Sequence, residues 1–118
     1  MRTLEENEQI TIMRWAELAC GRYPALRWLH HIPNGGQRSK ATAARLKAAG
    51  VKSGVPDLCL PYPRGRWHGL YIELKVGRNK PSEHQRAWLD YLDGQGYCVR
   101  VCYGADEAIN AIRRYLEA

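Results

Sequence analysis

Near the start of the chain Ile12, Met13, Ala16, Ala19 and Cys20 recur at helical spacing from about Glu5 to Cys20, and Gly21 followed by Pro24 ends the run. This predicts a first helix. Leu26 to Ile32 reads as a short strand closed by the turn signal Pro33-Asn34-Gly35-Gly36. Ser39 is placed to cap a helix over Ala41 to Ala49, which Gly50 stops. Two strands are expected next, Asp57 to Pro61 and Gly69 to Val76, joined by a loop containing Gly65. In the second, Leu70, Ile72, Leu74 and Val76 alternate with Tyr71, Glu73 and Lys75, so the two sets face opposite ways. A third helix opens at Pro81-Ser82-Glu83-His84-Gln85, turns Trp88, Tyr91 and Leu92 to one side, and ends at Gly94 or Gly96. Tyr97 to Tyr103 reads as a strand buried on both faces. A last helix from about Asp106 to Glu117 carries Ile109, Ile112 and Leu116 inward. A four-stranded mixed β-sheet flanked by helices, an α/β fold, is the simplest architecture that buries all these stripes.

Length changes this picture little: 118 residues make one domain. Without an apolar run of about 20 residues or a signal-peptide core, the expectation is a soluble, cytoplasmic protein with no membrane partner. The four cysteines form no CxxC pair, so neither a zinc site nor disulfides are expected, and Cys98 and Cys102 read as small core residues in a reducing compartment.

Charge changes it more. The formal net charge is +6, and nine basic residues lie between Leu18 and Ile72 with a single acid among them, Asp57. Such a stretch is either a solvated face or a surface for a polyanion. If the hairpin folds symmetrically about Gly65, Asp57 and Glu73, each eight residues away, stand opposite each other with Cβ atoms about 5 Å apart, and Lys75 shares their face. Two carboxylates so close repel unless a cation lies between them, and a hard divalent ion such as Mg²⁺ suits oxygen ligands. The alternative is a plain cross-strand ion pair with Lys75. His30 and His31 are adjacent on a strand and so face opposite ways, which speaks against joint chelation and for DNA contact or strand packing. Trp67 is either a partner contact or a lid over a local core.

The full string Gly54-Val55-Pro56-Asp57, fifteen residues, then Glu73-Leu74-Lys75 resembles the PD-(D/E)XK nuclease superfamily, and within it the VRR-NUC branch. The resemblance continues through Ser82 to Leu89, through Gly96 to Val101, and through His31-Ile32-Pro33-Asn34-Gly35-Gly36. It implies a restriction-endonuclease-like core and a single VRR-NUC nuclease domain over residues 1–118. It implies Asp57, Glu73 and the main-chain carbonyl of Leu74 as ligands of Mg²⁺ or Mn²⁺, Lys75 as the catalytic lysine, and Gln85 as a supporting glutamine. Ser82-x-x-Gln85 is equally a capping box, in which Gln85 would bond the helix start. The family also places a helix-one glutamate near the metal, here Glu5 or Glu8, with Glu5 preferred. DNA contacts are expected from Asn34, Arg38, Lys40, Arg45, Lys47 and Lys52. Small stand-alone members resemble Holliday junction resolvases, which implies a homodimer cutting branched or junction DNA. Nicking or flap cleavage on the same site, and a non-catalytic DNA-binding module, are the other readings.

Overall fold

The structure, a computed structural model, describes residues 3–33 and 39–118. Helix α1 (Leu4–Ala19) starts at Thr3, whose side chain accepts the backbone N–H of Glu6. A 3₁₀ turn (Pro24–Trp28) leads into strand β1 (His30–His31). Helix α2 (Lys40–Ala48), capped by Ser39, precedes strands β2 (Leu58–Leu60) and β3 (Leu70–Lys75). Helix α3 (Glu83–Gly94), strand β4 (Cys98–Tyr103) and helix α4 (Ala105–Glu117) complete the order. The strands form one mixed sheet in the order β1-β2-β3-β4. The β1/β2 and β2/β3 pairs are antiparallel, whereas β3/β4 is parallel with α3 as its crossover.

The main core lies where α1 and α4 cover one face of the sheet. Ile12 and Ala16 of α1 meet Leu58, Leu60, Leu70, Ile72 and Leu74 of the central strands and Ala108 and Ile112 of α4. Each fully buried Leu or Ile contributes about 1.5–3 kcal/mol from removal of apolar surface from water. Among the described residues no helix is long and apolar enough to cross a membrane, and all four cysteines are free thiols. Cys98 and Cys102 lie in the core.

Four local expectations change. Residues 26–32 are mostly not a strand: Pro24 starts a 3₁₀ turn, and the buried residues are Leu26 and Leu29, three apart, while Trp28 is 62% exposed. That spacing fits a three-residue turn and leaves two residues for the sheet. β4 is an edge strand that is fully buried only at Cys98 and Cys102: Val99 and Val101 on its other face are half-buried, and Arg100 and Tyr103 are exposed. α3 turns Leu89 and Leu92 inward and leaves Tyr91 exposed. In α4 the buried stripe is Ala105, Ala108, Ile112 and Tyr115, because two alanines let the helix lie close to the sheet, and Ile109 and Leu116 pack at its margin.

Candidate functional site

The β2–β3 register pairs Leu58 with Ile72, Cys59 with Tyr71 and Leu60 with Leu70. One step further sets Asp57 beside Glu73, as the symmetry about Gly65 predicts; Gly65 takes the left-handed conformation the tight turn needs, φ +55°. Asp57 lies just before β2, and its Oδ2 accepts the backbone N–H of Leu74 at 2.7 Å. In a strand the N–H and C=O of one residue point to the same edge, so the Leu74 carbonyl faces the gap beside Asp57.

Glu73 is 1% exposed, and one of its oxygens, Oε1, is buried without a hydrogen-bond partner. The other lies 3.6 Å from Nζ of Lys75, which is itself buried. Burial, followed by repulsion from the Asp57 charge, outweighs Lys75 and pushes the Glu73 carboxyl up to about 8. A buried carboxylate costs free energy unless paired or coordinated to a cation. The structure thus holds two adjacent hard-oxygen groups, one with an unused buried lone pair, a donor set that fits Mg²⁺ or Mn²⁺. Among the described residues no group of three or more His, Cys, Asp or Glu side chains is arranged to hold a metal. An ion would therefore rest on two carboxylates, a main-chain carbonyl and water, which is the habit of Mg²⁺.

The two candidate acids of α1 separate cleanly. Burial raises the Glu5 carboxyl above its ordinary value, with the Lys75 and Asp57 charges acting in opposite directions, so Glu5 belongs to the same electrostatic cluster. Glu8 is occupied elsewhere. Its Oε1 accepts the N–H of Ala105 at 3.1 Å, at the N-terminus of α4, where a Cβ on Gly104 would stand 3.1 Å from that oxygen.

The loop before Asp57 is braced from α3. Gly54, with φ +88°, packs so closely on His84 that a Cβ would come within 2.7–2.8 Å of its backbone and Cβ, and Ser53 Oγ bonds His84 Nδ1 at 2.7 Å. Only glycine fits there, which explains the first residue of the Gly-Val-Pro-Asp string. Gln85 completes a capping box, its Oε1 accepting the Ser82 N–H at 2.8 Å. That bond engages the oxygen alone, and the spacing Gln85, Leu89, Leu92 sets Gln85 on the inward face of α3.

The expected DNA-contacting residues that the structure describes are exposed, unlike this buried cluster. Lys40, Arg45 and Lys47 stand exposed on α2, which buries none of its residues, and Lys52 is exposed in the loop that follows. Asn34 and Arg38 fall outside the described residues. Trp67 acts as a lid: it packs against the core with its ring centroid 6.2 Å from that of Tyr115. His31, which the sequence marks only for DNA contact or strand packing, touches Asp57 directly, its Nδ1 lying 2.8 Å from the Asp57 carbonyl oxygen. No local sequence signal marks this contact, which joins residues 26 apart in the chain.

The VRR-NUC domain family matches residues 3–106 of this chain. The chain belongs to the VRR-NUC family. A solved structure described as a VRR_NUC domain protein superposes with a TM-score of 0.80 at 32% sequence identity, covering 99% of this chain and 91% of that one. No curated protein matches the chain. Membership of the VRR-NUC family makes this a nuclease-type domain on a restriction-endonuclease-like α/β fold.

Proposed function

We propose that this VRR-NUC domain is a metal-dependent DNA endonuclease that hydrolyses phosphodiester bonds in branched DNA such as Holliday junctions, and that it works as a homodimer. The observation that carries the reading is the buried Glu73 carboxylate beside Asp57, with an unpartnered oxygen and Lys75 at 3.6 Å. Asp57, Glu73 and the Leu74 carbonyl would hold Mg²⁺ or Mn²⁺. When bound, the ion supplies Lewis-acid assistance to a water nucleophile and neutralises charge on the phosphoryl oxygens. Lys75, fixed by its pairing with Glu73, orients the water or stabilises the negative charge that develops on the phosphoryl oxygens. Gln85 supports the cluster from α3 and Glu5 from α1. Lys40, Arg45, Lys47 and Lys52 hold the DNA backbone, which neutralises phosphates without reading sequence. That division of labour favours recognition of DNA shape. Symmetric cutting of a four-way junction needs two active sites, which supports a two-fold dimer.

The test is a cleavage panel at fixed salt: four-way junction, 5′ flap, nicked duplex and linear duplex, each with Mg²⁺ and with excess EDTA. The four-way junction is expected to be cut fastest, only with Mg²⁺, and by a species sedimenting as a dimer. Faster cutting of flap or nicked duplex would move the specificity to those substrates on the same site. Binding without cutting would leave a non-catalytic module, and cutting undiminished in EDTA would sink the role of the cation.

A further inference from the structure

Asp57 lies one residue before β2, so its place beside Glu73 is held by bonds from outside the β2–β3 ladder. Its carbonyl oxygen accepts two of them, both from the β1 segment: the Ile32 N–H at 2.8 Å and His31 Nδ1 at 2.8 Å. β1 is two residues long, and its ladder gives the Asp57 carbonyl one backbone donor, the Ile32 N–H. The imidazole of His31 supplies a second donor to the same oxygen. A carbonyl oxygen only accepts, so Nδ1 carries the hydrogen in this contact. The neighbouring ring makes a different bond: His30 Nδ1 meets the Trp28 carbonyl at 3.0 Å, within its own segment. Of the two histidines, His31 alone reaches across to the strand that bears a site carboxylate.

We infer that His31 is a positioning residue for the metal site: its Nδ1–H, with the Ile32 N–H, clamps the Asp57 main chain so that the carboxylate meets the Leu74 N–H and stands beside Glu73. The inference rests on the metal-site reading above. Partners that orient a ligand from outside the coordination sphere typically contribute about 10- to 100-fold to metal affinity. The clamp acts through one atom, so side chains that place a donor at Nδ1 or at Nε2 distinguish it from a DNA contact by the far side of the ring. Asn places its amide N–H where Nδ1 stands, whereas Gln reaches the Nε2 position.

Titration calorimetry of the full chain with Mn²⁺, in the absence of DNA, reads the effect without activity. His31→Ala and His31→Gln are expected to weaken Mn²⁺ binding by about tenfold or more, and His31→Asn to restore it to within about threefold. Because His31 is exposed, melting temperatures in EDTA are expected to stay close to that of the wild type. Mn²⁺ binding by His31→Ala equal to that of the wild type would overturn the positioning role alone. Rescue by Gln and not by Asn would overturn it in favour of the far ring nitrogen. A wild-type protein that binds no Mn²⁺, with Glu73→Gln no different, would overturn the metal reading and this role with it.

Discussion

The hairpin that carries Asp57, Glu73 and Lys75 and the helix α2 that carries Lys40, Arg45 and Lys47 are both rich in charge, yet they hold it in opposite ways. Glu73 and Lys75 are almost wholly removed from water, and one Glu73 oxygen has no partner. α2 buries nothing, and among the described residues its basic side chains form no ion pair. Desolvated charge is costly and local, and it is tolerated where something must be bound tightly at one point. Solvated charge costs little and acts at longer range, screened over about 8 Å at physiological salt. The first arrangement suits a metal and the second a polyanion.

Glu73→Gln breaks the buried half most strongly. It is expected to lower metal-dependent cleavage by about a thousandfold or more while DNA binding survives. Stability should move the other way. With the folded-state carboxyl raised from 4.5 to about 8, the metal-free protein retains a proton that the unfolded chain releases. Its stability therefore falls as pH rises through that window, and the contribution is complete only below the lower value. Glutamine does not titrate, so the variant should lose this slope and exceed the wild type in EDTA at pH 8 by on the order of 2 kcal/mol, with the gap closing toward pH 4. Thermal melts across pH, with and without Mn²⁺, read both effects; a wild-type melting curve flat between those pH values would contradict the burial argument.

The contrast between the two regions is only partly visible in the chain. Asp57 opposite Glu73 follows from alternation and from the glycine midway between them, since both are local rules. The choice between Glu5 and Glu8 does not, because each shares a helix face with Ile12. What distinguishes them in the structure is Gly104, far along the chain, whose missing side chain leaves room for Glu8 to reach the start of α4. Gly54 is legible as part of a motif but its reason is not, for the reason is His84 packed on it from α3. Leu26 and Leu29 mislead because a run of seven residues satisfies a strand rule and a 3₁₀ rule alike until Pro24 sets the phase. Local signals place the elements; packing between segments distant in sequence assigns the side chains.

Removing the solvated half is expected to have a smaller and differently shaped effect. The combined Lys40→Ala, Arg45→Ala and Lys47→Ala variant should bind DNA about 10- to 100-fold more weakly at physiological salt, and the slope of log affinity against log salt should fall by roughly 0.9 for each phosphate that is no longer neutralised. Cleavage at saturating DNA should stay within about twofold, and stability within about 0.5 kcal/mol, since α2 packs nothing into the core. An unchanged salt slope, measured by fluorescence anisotropy over a salt series, would take the polyanion role away from α2.

The smallest effect falls on Gln85, which serves both a helix start and, in the proposed mechanism, the buried cluster. Its oxygen is spent on the Ser82 N–H in the capping box, and that bond leaves its amide N–H groups uncommitted to the cap. Gln85→Ala loses the reciprocal half of the capping box while Ser82 still caps the helix, and so confounds folding with chemistry. Gln85→Glu does not, because glutamate closes the same box with the same oxygen. It is therefore expected to melt within about 2 °C of the wild type and, in the proposed mechanism, to cut about tenfold more slowly, having exchanged an amide donor for a second acceptor. Melting temperature and single-turnover cleavage rate, taken on the same preparation, separate the two roles: equal rates would confine Gln85 to the helix start, and a slow, fully stable variant would place its amide at the site.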